Sequence, residues 1–88
     1  MDDLLVAPAW AVKRMKGSEH SVYMETALHI DKQKRSTSIP VKAIADGLEM
    51  QERQIRRLLK SMNEKGVIRI EKRPGNSSVI YLPLEETP

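Results

Sequence analysis

The sequence predicts a small, mainly α-helical domain that ends in a β-hairpin. The first observation is that apolar residues recur at helical spacing through most of the chain, above all in Gln51–Glu64. The second is the change to strict alternation of apolar and charged residues at Val67–Lys72, which is typical of a half-buried strand. The third is the length, because 88 residues are enough for one domain.

Composition excludes several kinds of site. The chain has no Cys, so it forms no disulfide, thiolate metal site or cysteine nucleophile. His20 and His29 have no third ligand at metal spacing, and no catalytic motif or phosphate-binding glycine loop is present, so we expect no metal, no cofactor and no enzyme activity. No apolar run is long enough for a membrane span and no signal-peptide pattern opens the chain, which predicts a cytoplasmic protein.

The charge distribution is uneven, although the net charge is only +3. Residues 1–31 hold three cations and five acids, whereas residues 32–73 hold twelve cations and five acids. A basic block between mildly acidic ends is typical of a surface that meets a polyanion. Chance asymmetry in an ordinary soluble protein remains the alternative at this point.

The first half of the chain predicts two helices after a short tether at residues 1–7. Pro8 suits the first turn of a helix over Ala9–Lys16, and Gly17 ends that helix. Ser18 is the expected N-cap of a second helix that runs from Glu19 to about Asp31. This helix has a wide apolar band, which predicts packing on more than one side. The band comprises Val22, Tyr23, Met24, Ala27, Leu28 and Ile30.

The middle of the chain predicts a basic loop, a short strand and two helices joined by a tight turn. The loop is Lys32–Ser38, and the strand is Ser36–Ile39. Pro40 opens a helix over Val41–Asp46, and residues 47–50 form the turn. The next helix, Gln51–Glu64, buries its apolar row on the preceding elements. That row is Ile55, Leu58, Leu59 and Met62.

The last part of the chain predicts a β-hairpin and a tail. Gly66 suits the left-handed position that ends a helix. Strands are expected at Val67–Lys72 and Val79–Leu82, with turn residues between them from Arg73 to Ser78. Residues 83–88 look like a linker or free tail, so the predicted domain covers residues 8–82.

The side of helix Gln51–Glu64 that faces away from the apolar row carries Arg53, Gln54, Arg56, Arg57 and Lys60. Arginine forks match guanine edges, glutamine can bridge adenine, and Arg or Lys can hold phosphate, so this face suits insertion into a DNA major groove. For an isolated helix, a merely solvated face is the simpler interpretation. Its position after a tight turn and before a Gly-capped hairpin favours the DNA-binding interpretation.

The run from Val41 to Leu82 resembles the winged helix-turn-helix pattern of bacterial, phage and plasmid DNA-binding proteins. The matching positions are Ile44-Ala45, Ile55, Met62, Gly66-Val67-Ile68, Gly75-Asn76 and Tyr81. Pro8-Ala9-Trp10 and Ile39-Pro40 are similar to positions in the helix-turn-helix domains of replication initiators. The resemblance implies a fold that is mainly α with a small β-hairpin, the winged helix-turn-helix, over residues 8–82.

Two positions depart from the family pattern, both at the start of the second helix. Family members usually have Gly in the turn where this chain has Glu49, which predicts a strained conformation there. They usually have Ser or Thr as the cap where this chain has Gln51, which predicts a weaker cap and a side chain that can contact DNA instead. Glu52 suits the helix N-terminus but would repel phosphate.

The expected function is sequence-specific binding of double-stranded DNA. The residues nearest the bases would be Gln51, Arg53, Gln54 and Arg57. Phosphate contacts would come mostly from Arg56, Lys60, Lys42, Lys32, Lys34 and Arg35, and Arg73 with Asn76 would reach the adjacent backbone or minor groove. The role would be that of a plasmid or phage transcriptional regulator or accessory factor, or alternatively the origin-binding domain of a replication initiator.

Other partners follow from the same pattern. A single domain of this kind covers about one half-site, which predicts a homodimer or cooperative assembly on DNA repeats. The sequence shows no polar cluster typical of a small-molecule pocket. A winged-helix module that binds RNA or an acidic protein partner is the alternative of another class.

Overall fold

The structure is a computed structural model, and it describes residues 7–74 and 77–83. The helices within these residues are α1 (Ala9–Arg14), α2 (Ser18–Ala27), α3 (Val41–Leu48) and α4 (Glu52–Glu64). The strands are β1 (Ser36–Thr37), β2 (Arg69–Arg73) and β3 (Ser77–Tyr81). The described chain is therefore mainly helical with one small antiparallel sheet, as the sequence predicts at this level.

The sheet has the strand order β1-β3-β2. Strands β2 and β3 form the predicted hairpin, with Arg69 opposite Tyr81 at its base and Arg73 opposite Ser77 near its tip. Strand β1 pairs with the other edge of β3, where Ser36 lies opposite Tyr81. The predicted two-stranded hairpin is thus part of a three-stranded sheet, because the short strand before α3 joins it.

One aliphatic core connects the helices to the sheet. The predicted inward row of α4 is confirmed, because Ile55, Leu59 and Met62 are buried and Leu58 is half-buried at the edge. The largest fully buried side chains also include Tyr23, Ile44, Ile68 and Leu82. Helix α4 packs against both α2 and α3, so its direction is set by neighbours on two sides.

Helix α2 differs from its prediction in length and in packing. It ends at Ala27 rather than Asp31, because the next residues form tight turns in which the backbone N–H of Ile30 donates to Ala27 O. Its N-cap position is Gly17, and Ser18 is already helical. Helix α2 packs against both α3 and α4, as predicted, but its apolar band is not buried throughout, since Met24 and Leu28 are 51% and 75% exposed.

The remaining boundaries shift by a few residues. Helix α1 ends at Arg14, two residues before the predicted end, because Met15 is already extended. Helix α3 continues through Gly47 to Leu48, so the turn before α4 is shorter than predicted. Strand β2 begins at Arg69 rather than Val67, because the backbone N–H of Val67 donates to Met62 O in the turn that ends α4.

Candidate nucleic-acid interface

Helix α4 has one buried side and one basic side. Arg53, Arg57 and Lys60 are exposed and follow one another at intervals of four and three residues, so they form one row along the helix. The row spans about 10 Å at the helical rise of 1.5 Å per residue. Gln54 is exposed beside it. We call Arg53, Arg57 and Lys60 the basic row.

Arg56 lies outside the basic row and is engaged with a neighbour. Its Nη2 atom lies 3.2 Å from Oε1 of Glu52, one turn earlier on α4. Both side chains are well exposed, so the pair contributes only a few tenths of a kcal/mol to stability. Glu52, which the sequence analysis identified as unfavourable near phosphate, is therefore paired with a cation of its own helix.

The turn that leads into α4 has the strain that the sequence predicts. Glu49 has φ 56° and ψ 42°, the left-handed conformation that glycine adopts at less cost. The backbone N–H of Met50 donates to Ala45 O over 2.9 Å, which closes the end of α3 with a Schellman-type hydrogen bond. The turn thus sets the direction in which the chain enters α4, and it requires an unfavourable backbone conformation at Glu49.

The N-terminus of α4 has the weak cap that the sequence predicts. Gln51 occupies the N-cap position with φ −77° and ψ 144°, and its side chain makes no capping hydrogen bond. The first-turn N–H groups of α4 consequently lack the side-chain acceptor that Ser or Thr would provide. The Gln51 side chain is exposed next to the start of the basic row.

The C-terminal end of α4 is held by a buried carboxylate of α2. Glu19 is only 4% exposed and accepts hydrogen bonds from Lys65 Nζ at 2.6 Å and from Ser61 Oγ and Lys16 N at 2.8 Å each. Burial raises the pKa of the Glu19 carboxyl, but these hydrogen bonds outweigh it and lower the pKa below its ordinary value of 4.5. Arg14 of α1 adds a second connection by donating from Nη1 to Lys65 O.

The other predicted phosphate contacts are distributed over separate parts of the surface. Lys42 is exposed in the first turn of α3, which packs against α4. Lys32 and Lys34 are exposed in the loop before β1, where Asp31 Oδ1 accepts hydrogen bonds from the Gln33 and Lys34 N–H groups. Arg35 is half-buried and donates from Nε to Leu82 O, so it faces the base of the hairpin rather than the basic row.

The hairpin carries a basic outer face that the sequence analysis identified only in part. Arg73 Nη2 lies 3.0 Å from Glu71 Oε1 and also donates a hydrogen bond to Tyr81 Oη over 3.2 Å. Arg69, which was not among the predicted DNA contacts, lies with its guanidinium carbon 4.5 Å from the centroid of the Tyr81 ring. Strand alternation places Arg69, Glu71 and Arg73 on one face of β2, and that signal could have identified Arg69. Asn76, expected at the hairpin tip, lies outside the described residues.

No family model matches the sequence, and neither a curated protein nor a solved structure is similar enough to count as a match. In the described part of the chain, no helix is long and apolar enough to cross a lipid bilayer. Over the same residues, no three acidic or histidine side chains come together as metal ligands would.

Proposed function

We propose that this chain is a winged helix-turn-helix domain that binds double-stranded DNA in a sequence-specific manner. The observation that carries the proposal is the basic row of α4, which is exposed while the opposite side of the helix is buried against α2 and α3. In this proposal α3 and α4 form the helix-turn-helix, and the hairpin of β2 and β3 is the wing. The order of helices and strands supports it, because it is the order that the resemblance implies.

The proposed complex places α4 in the major groove. Arg53 and Arg57 have the planar forks that match the O6 and N7 atoms of guanine, and Gln51 and Gln54 offer the amide groups that match adenine. Phosphates border the groove, and contacts to them would come from the exposed cations Lys60, Arg56 and Lys42. A rigid support for these side chains is provided by the buried row of α4 and by the Glu19 hydrogen bonds at its C-terminal end.

Selection of duplexes from a random pool tests this proposal. We expect the wild-type protein to enrich a short common motif, because arginine forks discriminate between bases by about 1–3 kcal/mol. Arg57→Ala is expected to lose the preference at one or two positions of that motif, whereas Lys13→Ala, an exposed change on α1, is expected to keep it. Failure of the wild-type protein to enrich any motif would contradict sequence-specific binding.

The proposed biological role is that of a plasmid or phage regulator or accessory factor. A replication-origin-binding domain is the alternative within the same function. Footprinting on the native replicon distinguishes the two, because a regulator protects an operator that overlaps a promoter whereas an origin-binding domain protects repeated sites at the origin. Repeats or a palindrome within the protected region would also support the proposed dimeric or cooperative binding.

A further inference from the structure

A basic cleft lies at the base of the hairpin, separate from the basic row of α4. It has a volume of about 410 Å³ and lies between the loop before β1, the C-terminal end of α4 and the first residue pair of β2 and β3. Its polar lining comes from Lys34, Arg35, Asn63, Arg69 and Tyr81. We call it the hairpin-base cleft. Its volume is within the range of sites that hold small molecules.

Among the residues that the structure describes, no negative charge offsets the cations of the hairpin-base cleft. Three cations line it, and no carboxylate is among the lining residues that the structure describes. Over the same described residues, neither Lys34 nor Arg69 forms an ion pair, whereas Arg73 and Arg56 each do. Like charges brought together in a concave surface repel one another and favour a bound anion.

Arg35 is held in the hairpin-base cleft by unusual geometry. It has φ 53°, a left-handed conformation that is costly for a residue with a side chain. Three hydrogen bonds keep it there: Arg35 N donates to Asp31 O, Leu82 N donates to Arg35 O, and Arg35 Nε donates to Leu82 O. Residues held in such conformations cluster at ligand-binding sites.

The guanidinium of Arg35 is also incompletely satisfied. Its Nη2 atom is buried and has no hydrogen-bond acceptor in the described part of the chain. The nearby Tyr23 hydroxyl is buried without a partner as well; burial raises the pKa of Tyr23, and the positive charge of Arg35 partly opposes that rise. A half-buried guanidinium nitrogen that finds no acceptor among the described residues is unfavourable, and an anion in the cleft would remove that cost.

The other polar groups of the cleft are donors that suit an oxygen-rich anion. Asn63 uses Oδ1 to accept from Ile70 N, which leaves its amide N–H₂ as a donor. Arg69 is exposed and stacks over the Tyr81 ring, and its planar fork is a second multiple donor at the cleft. Arginine forks together with a lysine ammonium are the groups with which proteins bind phosphate. We propose that the hairpin-base cleft binds a phosphate group.

Two sources can supply that phosphate. The Arg69–Tyr81 pair is four residues from the Arg73–Ser77 pair near the hairpin tip, which is about 13 Å at the usual strand rise. In the proposed DNA complex the tip approaches the duplex, so a cleft at the base is accessible to a free phosphate compound while DNA is bound. A backbone phosphate of the duplex is the other source of the same chemical group.

The test is a titration of the isotope-labelled full chain, followed by nuclear magnetic resonance. Inorganic phosphate is added first, then adenosine monophosphate, with sodium chloride at equal ionic strength as the comparison. We expect saturable shifts of the Arg35 side-chain N–H and the Tyr81 ring with phosphate and not with chloride. Arg69→Gln and Lys34→Gln are expected to weaken phosphate binding at least threefold, whereas Lys13→Gln and Arg57→Ala are expected to leave it unchanged.

Two results would overturn the phosphate site. One is that phosphate shifts the cleft signals no more than chloride does, and the other is that Arg69→Gln and Lys34→Gln bind phosphate as Lys13→Gln does. Both variants change exposed side chains, so the outcome does not depend on whether an Arg35 variant folds. If a DNA duplex displaces phosphate from the cleft, the cleft binds a phosphate of the DNA backbone. If the duplex leaves phosphate bound, the cleft binds a free phosphate compound. Absence of duplex binding by α4 would contradict the proposed function alone.

Discussion

The ammonium of Lys65 lies 2.6 Å from Oε1 of Glu19. This ion pair connects the residue directly after α4 to the first turn of α2. Glu19 is nearly fully buried, yet the hydrogen bonds from Lys65, Ser61 and Lys16 keep its carboxyl ionised. This ion pair and the Ser61 hydrogen bond connect the C-terminal end of α4 to α2, in addition to the apolar packing of Ile55, Leu59 and Met62. The orientation of the basic row therefore depends on a charge outside the row.

Replacing Glu19 tests this connection. Glu19→Gln removes the charge and leaves the donors of Lys65 and Ser61 poorly paired, so we expect the free energy of unfolding to fall by about 2 kcal/mol. Chemical denaturation followed by circular dichroism measures the change. Glu64→Gln, an exposed change on α4, is the matched control and should cost less than about 0.5 kcal/mol. Equal effects of the two changes would show that the buried ion pair does not stabilise the fold.

The same ion pair predicts a pH dependence of stability. The pKa of Glu19 is lower in the folded protein than in the unfolded chain, so its contribution is complete above about pH 4.5 and is lost as the pH falls through the folded value. The difference in unfolding free energy between the wild type and Glu19→Gln should therefore shrink in acid. Denaturation curves from pH 7 to pH 3 measure it, and a constant difference over that range would contradict the assignment.

The left-handed conformation of Glu49 predicts a stabilising substitution. Glu49→Gly removes the contact between its Cβ and the backbone that makes φ 56° unfavourable, and we expect a gain of about 1 kcal/mol in the free energy of unfolding. Glu49→Ala retains a Cβ and should show no such gain. Thermal or chemical denaturation of both variants measures the difference, and equal stability of the two would show that the turn is not strained.

The weak cap at Gln51 predicts a change in which stability and DNA binding move in opposite directions. Gln51→Ser would supply the missing acceptor and form a capping box with Gln54, which we expect to add about 1 kcal/mol of stability. The same change removes the amide proposed to contact a base, so duplex affinity should fall. Gln51→Ala separates the effects, since it should lower affinity without raising stability. A Gln51→Ser variant with undiminished affinity would exclude Gln51 from the interface.

The parts of the fold that depend on local pattern were predictable. The spacing of Ile55, Leu59 and Met62 predicted the buried side of α4, and the tight turn predicted before α4 made Glu49 a candidate for the left-handed conformation that it has. Periodicity does not tell what covers the second side of a helix, so Met24 and Leu28 were predicted to pack although they are exposed.

Features that depend on long-range pairing were not predictable from these patterns. The joining of β1 to β3 brings Ser36 opposite Tyr81, and nothing in either segment specifies the other as its partner. The hairpin-base cleft results from that pairing together with the register of β2, which places Arg69 on the Tyr81 ring. No local pattern predicts the cleft, because its cations Lys34, Arg35 and Arg69 come from segments far apart in the chain.

The central claim is that the basic row of α4 binds duplex DNA, and a salt titration of duplex binding tests it most directly. The protein is titrated with a labelled duplex of the selected motif at several salt concentrations, in parallel with Arg53→Ala, Arg57→Ala and the control Lys13→Ala. We predict that the logarithm of wild-type affinity falls linearly with the logarithm of salt concentration, and that each arginine variant binds at least about fivefold more weakly while the control is unchanged. Affinity that does not respond to salt, or that is the same in both arginine variants as in the wild type, would contradict the claim.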